Sequence, residues 1–428
     1  MRSARVVRGL TLLAGLFAGV STAGAQPARD LTVDEWVTLA LANNPEIRAA
    51  RAELDAAAAR VRQAALRPNP MLELGGQKAI SPDNNLSIGV TVPLDLNGRK
   101  DGRVGVAERE VEVRRAQAAD RERRLRADVR TKAGDVLAAR RTLAVTDELL
   151  QANRDALSLV EARVRQGAAP SLEANLMRVE VARLDAGRVM QANRADVALL
   201  QLKALAGASP DEPLTVGGEL SSPPAAPGSL GALASAIDQR PDVRAARADV
   251  AVAQAKVRKE QAEGRWDASV SVGYQRQDFG FNLKGVTDSG STRQIQDVFH
   301  YFGAGITVML PVRNRNEGNI AAAGAEATAA ERRREFSELI ARQEVAAALA
   351  QYEAARRTVE LYERGVRGIA RANLDVVRRS YGLGRGTLLD VIAEQRRYIE
   401  VENGYTDVLR QAWDASVEVE RAIGEPAR

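Results

Sequence analysis

Cysteine is absent from this 428-residue sequence, and histidine occurs only once. The absence of cysteine excludes disulfide bonds and thiolate metal ligands, so the fold must be stable without covalent crosslinks. A single imidazole, that of His300, makes no metal site, and catalytic triads and cysteine–histidine dyads need residues that this chain barely has. The composition therefore predicts neither an enzyme nor a protein with a bound metal or other cofactor.

Aromatic residues make up only 4% of the chain, and the excess of basic charge is small. The sequence has 61 Lys and Arg against 56 Asp and Glu, but three of the arginines lie in its first eight residues. Without those three, 58 basic residues face the 56 acidic ones. Arginines are interleaved with acidic residues, as on solvated helix faces, and few aromatic rings are present to stack on bases. A nucleic-acid partner is therefore not expected.

The N-terminal apolar run, Gly9 to Val20, is far short of the about 20 residues that a membrane-spanning helix needs. It follows a basic start and is followed by small residues at positions 23–25, where a signal peptidase would cut. Residues 1–25 are therefore predicted to be a signal peptide, with Gln26 as the first residue of the exported chain. Because no cysteine follows, a lipid anchor on an N-terminal cysteine is excluded.

One segment of the mature sequence occurs twice. "NPEIRAARAEL" begins at Asn44 and "RPDVRAARADV" begins at Arg240, an offset of 196 residues. Both copies predict the N-terminal turns of a helix, and the nearby prolines mark the helix boundaries. The repetition predicts two tandem structural repeats, residues 26–207 and 230–428, joined by the proline- and glycine-rich residues 208–229.

After each of these helices the periodicity of apolar residues changes from 3.6 to two. In "NLSIGVTVPL" and "YFGAGITVMLP", apolar side chains alternate with Gly, Ser and Thr, which predicts strands with one apolar face. Each repeat should therefore hold a β-hairpin with strands of about ten residues, one over about 70–94 and one over about 267–311. The segment "DFGFNLKGVTDSGSTRQIQD" within the second hairpin is expected to be a long polar loop.

Strands of this length with one apolar face are typical of a transmembrane barrel, although half-buried hairpins of soluble domains alternate in the same way. Aromatic residues at strand ends, Trp266, Tyr301 and Phe302, favour the membrane because such side chains concentrate at lipid–water interfaces. Four strands are too few to close a barrel, and lipid does not tolerate an open edge. A membrane location therefore requires several copies of the chain, and three copies would supply twelve strands.

The segment after each hairpin predicts a long helix. Residues 98–166 contain no proline, and apolar residues recur every seven positions through two stretches separated by a four-residue step. This is the pattern of a coiled coil with one stutter. At about 1.5 Å per residue the helix would reach about 100 Å, too long for a compact domain. The chain should turn back at residues 167–171 and, in the second repeat, at residues 382–388.

Together these motifs resemble the TolC-type outer-membrane efflux proteins over about residues 31–424. The resemblance rests on the repeated "NPEIRAAR" and "RPDVRAAR" segments and on "VPLDLNGR" and "LPVRNRNEGNIAAA", where strand passes into helix. It rests also on the turn "YGLGRGTLLDVIAEQR". The segment "RNRNEGNI" most resembles the branch that exports heavy-metal cations of the cobalt–zinc–cadmium and copper type.

The resemblance implies a mainly α fold with a membrane β-barrel portion, in which a homotrimer forms a twelve-stranded barrel in outer-membrane lipid, continued by an α-helical coiled-coil barrel across the periplasm. It also implies a passive exit duct, coupled by a periplasmic adaptor (a membrane fusion protein) to an inner-membrane pump of the resistance–nodulation–division class. A channel for drugs or organic solutes would share every barrel feature and stays an alternative. A periplasmic coiled-coil adaptor is a further alternative, although two helical hairpins and lipid-type strands argue against it.

The resemblance also implies a gate just past the second helical turn, where acidic residues of the family constrict the pore. Asp390 occupies that position, whereas the family's second acidic position is Ala393 here, and the neighbouring candidate Glu394 faces another side. Three copies of Asp390 around an axis would repel one another and attract cations. An acidic residue at this position is also favoured by the helix dipole alone, so both interpretations stay open.

The two turns are the hypothesised docking ends for the adaptor, with Arg385 exposed to make polar contacts. Plain turn chemistry would explain their glycines equally well. The candidate residues share a place in one turn or the other: Gly167, Pro170, Ser171, Gly384, Arg385, Gly386 and Thr387.

Overall fold

The structure is a computed structural model that describes residues 29–80, 83–221 and 237–424. The predicted signal peptide and part of the predicted linker lie outside these residues. The main helices of the described ranges are α1 (Val33–Asn43), α2 (Pro45–Ala64), α3 (Arg99–Arg165), α4 (Ser171–Ala206), α5 (Pro241–Glu263), α6 (Glu317–Leu361), α7 (Arg367–Gly382) and α8 (Leu388–Ile423). A π-helical turn, Tyr362–Val366, separates α6 from α7. The strands are β1 (Arg29–Leu31), β2 (Met71–Lys78), β3 (Asn84–Pro93), β4 (Leu214–Val216), β5 (Asp267–Val286) and β6 (Thr292–Met309).

The two tandem repeats expected from the sequence are confirmed. Each runs from a helix through a β-hairpin to a long helix, a turn and a returning helix. The two helix openings are stabilised differently: Asn44 caps α2 by accepting from the N–H groups of Glu46 and Ile47. In the second copy Arg240 takes that place, makes no cap bond from its side chain, and pairs instead with Asp242.

Helix α3 is continuous over 67 residues, as the absence of proline predicted. It packs against α2 and α5 and against α4 and α8, and so links both repeats. Close contact with α8 depends on Gly134, because a Cβ atom there would lie 2.4 Å from the Trp413 ring. Within the described ranges, no helix combines the length and apolar character needed to cross a membrane.

The largest core cluster lies where α1, α3, α4 and α8 meet a small parallel sheet of β1 and β4. Trp36, Leu202 and Leu409 are almost fully buried there. The coiled-coil positions Val129 and Val136 of α3 also lie in this cluster, so the predicted seam is buried here against the chain's own helices. This core holds the two repeats together between the sheet and the helical turns.

The other four strands form an antiparallel sheet in the order β2–β3–β5–β6, so β2 and β6 are its edges within one chain. The second hairpin is longer than expected, with strands of 20 and 18 residues. The predicted polar loop is wrong in extent, because pairing continues past a bulge between Gly280 and Lys284 to Val286 opposite Thr292. Backbone hydrogen bonds continue the ladder whatever the polarity of the side chains.

Candidate functional site

One face of the four-stranded sheet is apolar across every strand, except toward the hairpin turns, where it carries Lys78, Arg276 and Asp278. Residues paired across neighbouring strands share a face, and the register aligns the apolar positions of all four strands. Several of these side chains are highly exposed in the single chain, including Phe302 at 84% and Leu74 and Ile306 at 72% each. We call this the apolar face; it includes Leu72, Leu74, Ile88, Val90, Val92, Val270, Val272, Tyr274, Phe302, Ala304, Ile306 and Val308.

The opposite face, which we call the polar face, carries mostly small or uncharged polar side chains. Its positions alternate with those of the apolar face along each strand. They include Gly75, Ser87, Gly89, Thr91, Ser269, Ser271, Gly273, Gly303, Gly305 and Thr307. A sheet with these two faces suits lipid on one side and water on the other.

The aromatic residues expected at a lipid interface do not act as one group. Phe302 lies on the apolar face, with its ring 5.2 Å from that of Tyr274. Tyr301 pairs with Gln275 on the polar face, so Tyr301 and Phe302 lie on opposite faces of the sheet. Trp266 precedes β5 and is 45% exposed. His300 accepts or donates a 2.6 Å hydrogen bond with the Tyr274 hydroxyl, which makes it a polar neighbour of the apolar band.

The two helical turns at the other end of the chain have matching geometry. Gly167 and Gly384 both have φ near +72°, the left-handed conformation that glycine adopts at a helix end without steric cost. Pro170 directly precedes α4, and Thr387 caps α8. Arg385 is exposed, as expected, while its backbone N–H donates to the carbonyl of Ser380.

Asp390 serves as a helix cap within the single chain. Its carboxylate accepts from the Thr387 hydroxyl at 2.7 Å and from the Thr387 backbone N–H at 3.0 Å, completing a capping box. These hydrogen bonds, the hydroxyl's first, hold the pKa of Asp390 below its usual range. Glu394 lies one helical turn beyond Asp390, and its side chain is only 13% exposed and forms an ion pair with Arg397 at 3.1 Å. The contacts within one chain therefore support the capping role of Asp390. A gating role would require the Asp390 residues of neighbouring copies to meet around the pore.

A hydrogen bond joins the two helical hairpins near their turns. The Tyr381 hydroxyl, at the end of α7, donates to the Glu173 carboxylate at the start of α4 over 2.6 Å. The Arg163 guanidinium lies 5.6 Å from the centre of the Tyr381 ring. Burial and then the hydrogen bond to Glu173 raise the pKa of Tyr381 to about 12, so the donor keeps its proton at neutral pH.

A buried carboxylate forms a second connection between the hairpins. Glu180 of α4 is 1% exposed and pairs with Arg183 on its own helix and with Arg396 of α8 at 2.9 Å. Apolar side chains of both hairpins pack beside these polar contacts, namely Val160, Ala174, Met177, Leu388 and Ile392. We call the Tyr381–Glu173 and Glu180–Arg396 contacts the tip contacts.

Sequence reasoning did not identify the tip contacts. One signal was available, because Glu173 and Glu180 are seven residues apart and so share a face of α4 with the buried Met177. Their partners lie more than 200 positions away along the chain, at Tyr381 and Arg396. No local pattern specifies pairs at that separation.

Several apolar side chains along α4 are exposed. Leu172, Val179 and Met190 are 63%, 66% and 60% exposed, whereas Met177 and Glu180 are buried. A row of apolar side chains on α4 is therefore left largely exposed within the described chain. No group of three or more His, Asp or Glu side chains in the described ranges is placed to hold a metal ion.

A sheet with one lipid-type face, extended by two long helical hairpins, defines a membrane-embedded protein with a large helical extension. Comparison with known protein families identifies the family to which this chain belongs. The sequence profile of the outer membrane efflux proteins matches residues 36–208 and 232–425, so the chain belongs to this family. It is therefore an efflux channel of the outer membrane that extends into the periplasm, and it is not an enzyme.

Individual relatives agree with this assignment. The cobalt-zinc-cadmium resistance protein CzcC of Cupriavidus metallidurans is 24% identical over 93% of this chain and 91% of its own length. A membrane protein from Pseudomonas aeruginosa has the same fold, with a TM-score of 0.74 and 22% identity over 92% of this chain and 94% of that one. CusC, described for its transmembrane channel formation, superposes with a TM-score of 0.74 and 18% identity over 99% of both chains.

Proposed function

We propose that three copies of the chain assemble into a passive exit duct, with a twelve-stranded barrel in the outer membrane and a helical barrel in the periplasm. The observation that carries this proposal is the four-stranded sheet. Its apolar face requires lipid, yet β2 and β6 each lack a second neighbouring strand within the described chain. Because an unpaired edge is not tolerated in hydrocarbon, β6 of one copy must pair with β2 of the next.

The exposed apolar side chains of the long helices support the same assembly. On α7 they include Ile369 and Val376, seven residues apart and 63% and 54% exposed. On α4 they include Leu172 and Val179, also seven residues apart. Heptad spacing is typical of a coiled-coil seam, and contact with another copy of the chain would remove these side chains from water.

The proposed cargo is heavy-metal cations, delivered by an inner-membrane pump through a periplasmic adaptor that docks at the exposed turns 167–171 and 384–387. Full-length similarity to a cobalt-zinc-cadmium resistance protein supports metal cargo over drugs or organic solutes. The alternative of a periplasmic adaptor is excluded by membership of the efflux protein family.

Two measurements test this proposal. The mature chain, purified in detergent, should have the mass of a trimer and should form channels in planar bilayers. A host strain lacking the gene should become sensitive to cobalt, zinc or cadmium salts, and the gene supplied on a plasmid should restore resistance. A monomer without channel activity would refute the duct, whereas sensitivity to organic compounds alone would refute metal cargo.

If the duct opens at its periplasmic end by separation of the two helical hairpins at the tip contacts, Tyr381→Phe should increase its open population. The change removes the hydroxyl that donates to Glu173 while keeping the ring. A hydrogen bond to a charged partner contributes about 1.5–3 kcal/mol, and at this partly exposed site we expect about 1.5 kcal/mol, or roughly tenfold in the equilibrium between joined and separated tips. Single-channel recording should show a higher mean conductance.

A matched control for Tyr381→Phe is Glu161→Gln. Glu161 pairs with Arg178, so this ion pair joins α3 to α4 within one helical hairpin. Its loss should leave conductance unchanged. Equal effects of the two variants would show that the contact between hairpins has no special role in closing the duct.

Two variants of Asp390 distinguish a role in constricting the pore from a role in capping α8. Asp390→Ala removes both the charge and the acceptor of the capping box, whereas Asp390→Asn removes the charge and keeps an oxygen acceptor. If three carboxylates constrict the pore, both variants should raise single-channel conductance and weaken block by divalent cations added on the periplasmic side. Unchanged block in Asp390→Asn, with an effect of Asp390→Ala alone, would leave Asp390 only its capping role.

A further inference from the structure

The polar face of the sheet carries a single charged side chain over four consecutive rows of paired residues. The rows run from Met71–Thr91–Ser271–Gly305 to Gln77–Asn85–Gln277–Phe299. The charge belongs to Glu73, whose strand neighbours Leu72 and Leu74 point to the apolar face. In the proposed barrel, the polar face lines the lumen, so among the described strand residues Glu73 is the one charge at this depth of the duct in each chain.

The other three residues in the row that contains Glu73 are glycines, whose side chain is a hydrogen atom. Glu73 pairs with Gly89, which pairs with Gly273, which pairs with Gly303. The carboxylate makes no hydrogen bond or ion pair with any described residue. The glycines on the three neighbouring strands therefore leave open space beside the Glu73 carboxylate. This carboxylate has no ion-pair partner among the described residues, and no side chain of its row lies over it.

Other acidic residues of the sheet lie outside these rows. Asp267 is at the end of the sheet near the helices, where its carboxylate accepts from the backbone N–H of Leu96 and lies 3.8 Å from the Arg99 guanidinium. Asp297 pairs with Phe279 in the extension of the second hairpin, beyond the last residue of β3 that pairs with β5. Asp278, at the end of the shared four-stranded part, lies on the opposite face from Glu73 and forms an ion pair with Arg276 at 3.1 Å. None of the three adds to or neutralises the charge of Glu73 within the four rows.

We propose that Glu73 makes the membrane portion of the duct selective for cations. This inference rests on the proposed trimer, in which three Glu73 carboxylates form one charged ring in the lumen. Rings of carboxylates favour cations in channels, because a fixed charge on a low-dielectric wall raises the local concentration of counter-ions. A monovalent cation about 4 Å from one carboxylate in water is enriched by roughly fivefold, and an anion is depleted to the same degree.

The test measures ion selectivity of the full mature protein in planar bilayers across a potassium chloride gradient. The wild-type channel should be cation-selective. Glu73→Gln should lower the cation-to-anion permeability ratio by up to about 25-fold, the product of the cation enrichment and the anion depletion, and Glu73→Lys should favour anions. Glu73→Asp, which keeps the charge, should remain selective. The matched control is Lys78→Gln, which removes a charge from the other face of the same strand and should leave the ratio unchanged.

The possible results distinguish this inference from the function on which it rests. If channels form but Glu73→Gln keeps the wild-type ratio, the role of Glu73 is refuted and the duct stands. If the wild-type protein forms no channel, both are refuted. A ratio that changes as much in Lys78→Gln as in Glu73→Gln would also refute the inference, because the effect would then be independent of the face that carries the charge.

Discussion

Arg240→Ala should lower the free energy of unfolding by about 3–5 kcal/mol, the cost typical of removing one partner from a buried ion pair. Arg240 is 1% exposed and donates to Asp242 at 2.6 Å and to Glu344 at 2.7 Å. It also donates to the carbonyl of Ala422 at 3.0 Å, at the end of α8. The alanine variant would leave two carboxylates and a carbonyl without their shared donor and would open a cavity between three helices.

The measurement is thermal or chemical unfolding of the purified protein in detergent. Arg244→Ala is the matched control, because Arg244 lies one turn further along α5, is exposed and should change stability by no more than about 0.5 kcal/mol. Arg240→Lys should be intermediate, since a lysine cannot reproduce the planar fork that contacts several acceptors. A loss below about 1 kcal/mol for Arg240→Ala would contradict the structural role assigned to this side chain.

Trp36→Ala should also cost about 3–5 kcal/mol of unfolding free energy, the range for removing a large aromatic side chain from a core. Trp36 has no exposed surface and belongs to the cluster formed by α1, α3, α4, α8 and the small parallel sheet. Its indole N–H donates to the carbonyl of Thr215 at 3.3 Å, which connects α1 to β4. The change would leave a cavity and remove the indole donor from the Thr215 carbonyl.

A graded variant identifies which loss dominates. Trp36→Phe keeps most of the ring volume and removes only the donor to Thr215, so its cost should be less than half that of Trp36→Ala. Both proteins are compared by calorimetry in the same detergent. Similar costs for the two variants would show that the hydrogen bond, and not the packing of the ring, stabilises this junction.

The repeated architecture was predictable because its signals are local. A duplicated helix opening, a change of apolar period from 3.6 to two, and a long segment without proline each restrict the backbone over a few residues at a time. The structure has strands at Met71–Lys78 and Asn84–Pro93 and one helix over Arg99–Arg165, close to the expected segments. The opposite orientations of Tyr301 and Phe302 were also implied by the alternation itself, since adjacent strand residues point to opposite faces.

The extent of the second hairpin was not predictable in the same way. Its outer part contains Asp, Asn, Lys and several Ser and Thr residues, a composition typical of loops. The pairing there is made by backbone groups, with Phe279 and Phe299 in edge-to-face contact at 5.7 Å. Side-chain polarity therefore misled the prediction where the stabilising hydrogen bonds belong to the main chain.

By itself the sequence determined the order of the main helices and strands and which face of each strand is apolar, because periodicity acts between neighbouring residues. Only the tertiary structure decided which distant residues meet: Tyr381 with Glu173, Glu180 with Arg396, and Glu73 with three glycines on other strands. Those encounters depend on how helices pack and how strands align, and many alignments satisfy the same local pattern. The relative placement of whole elements selects one of them.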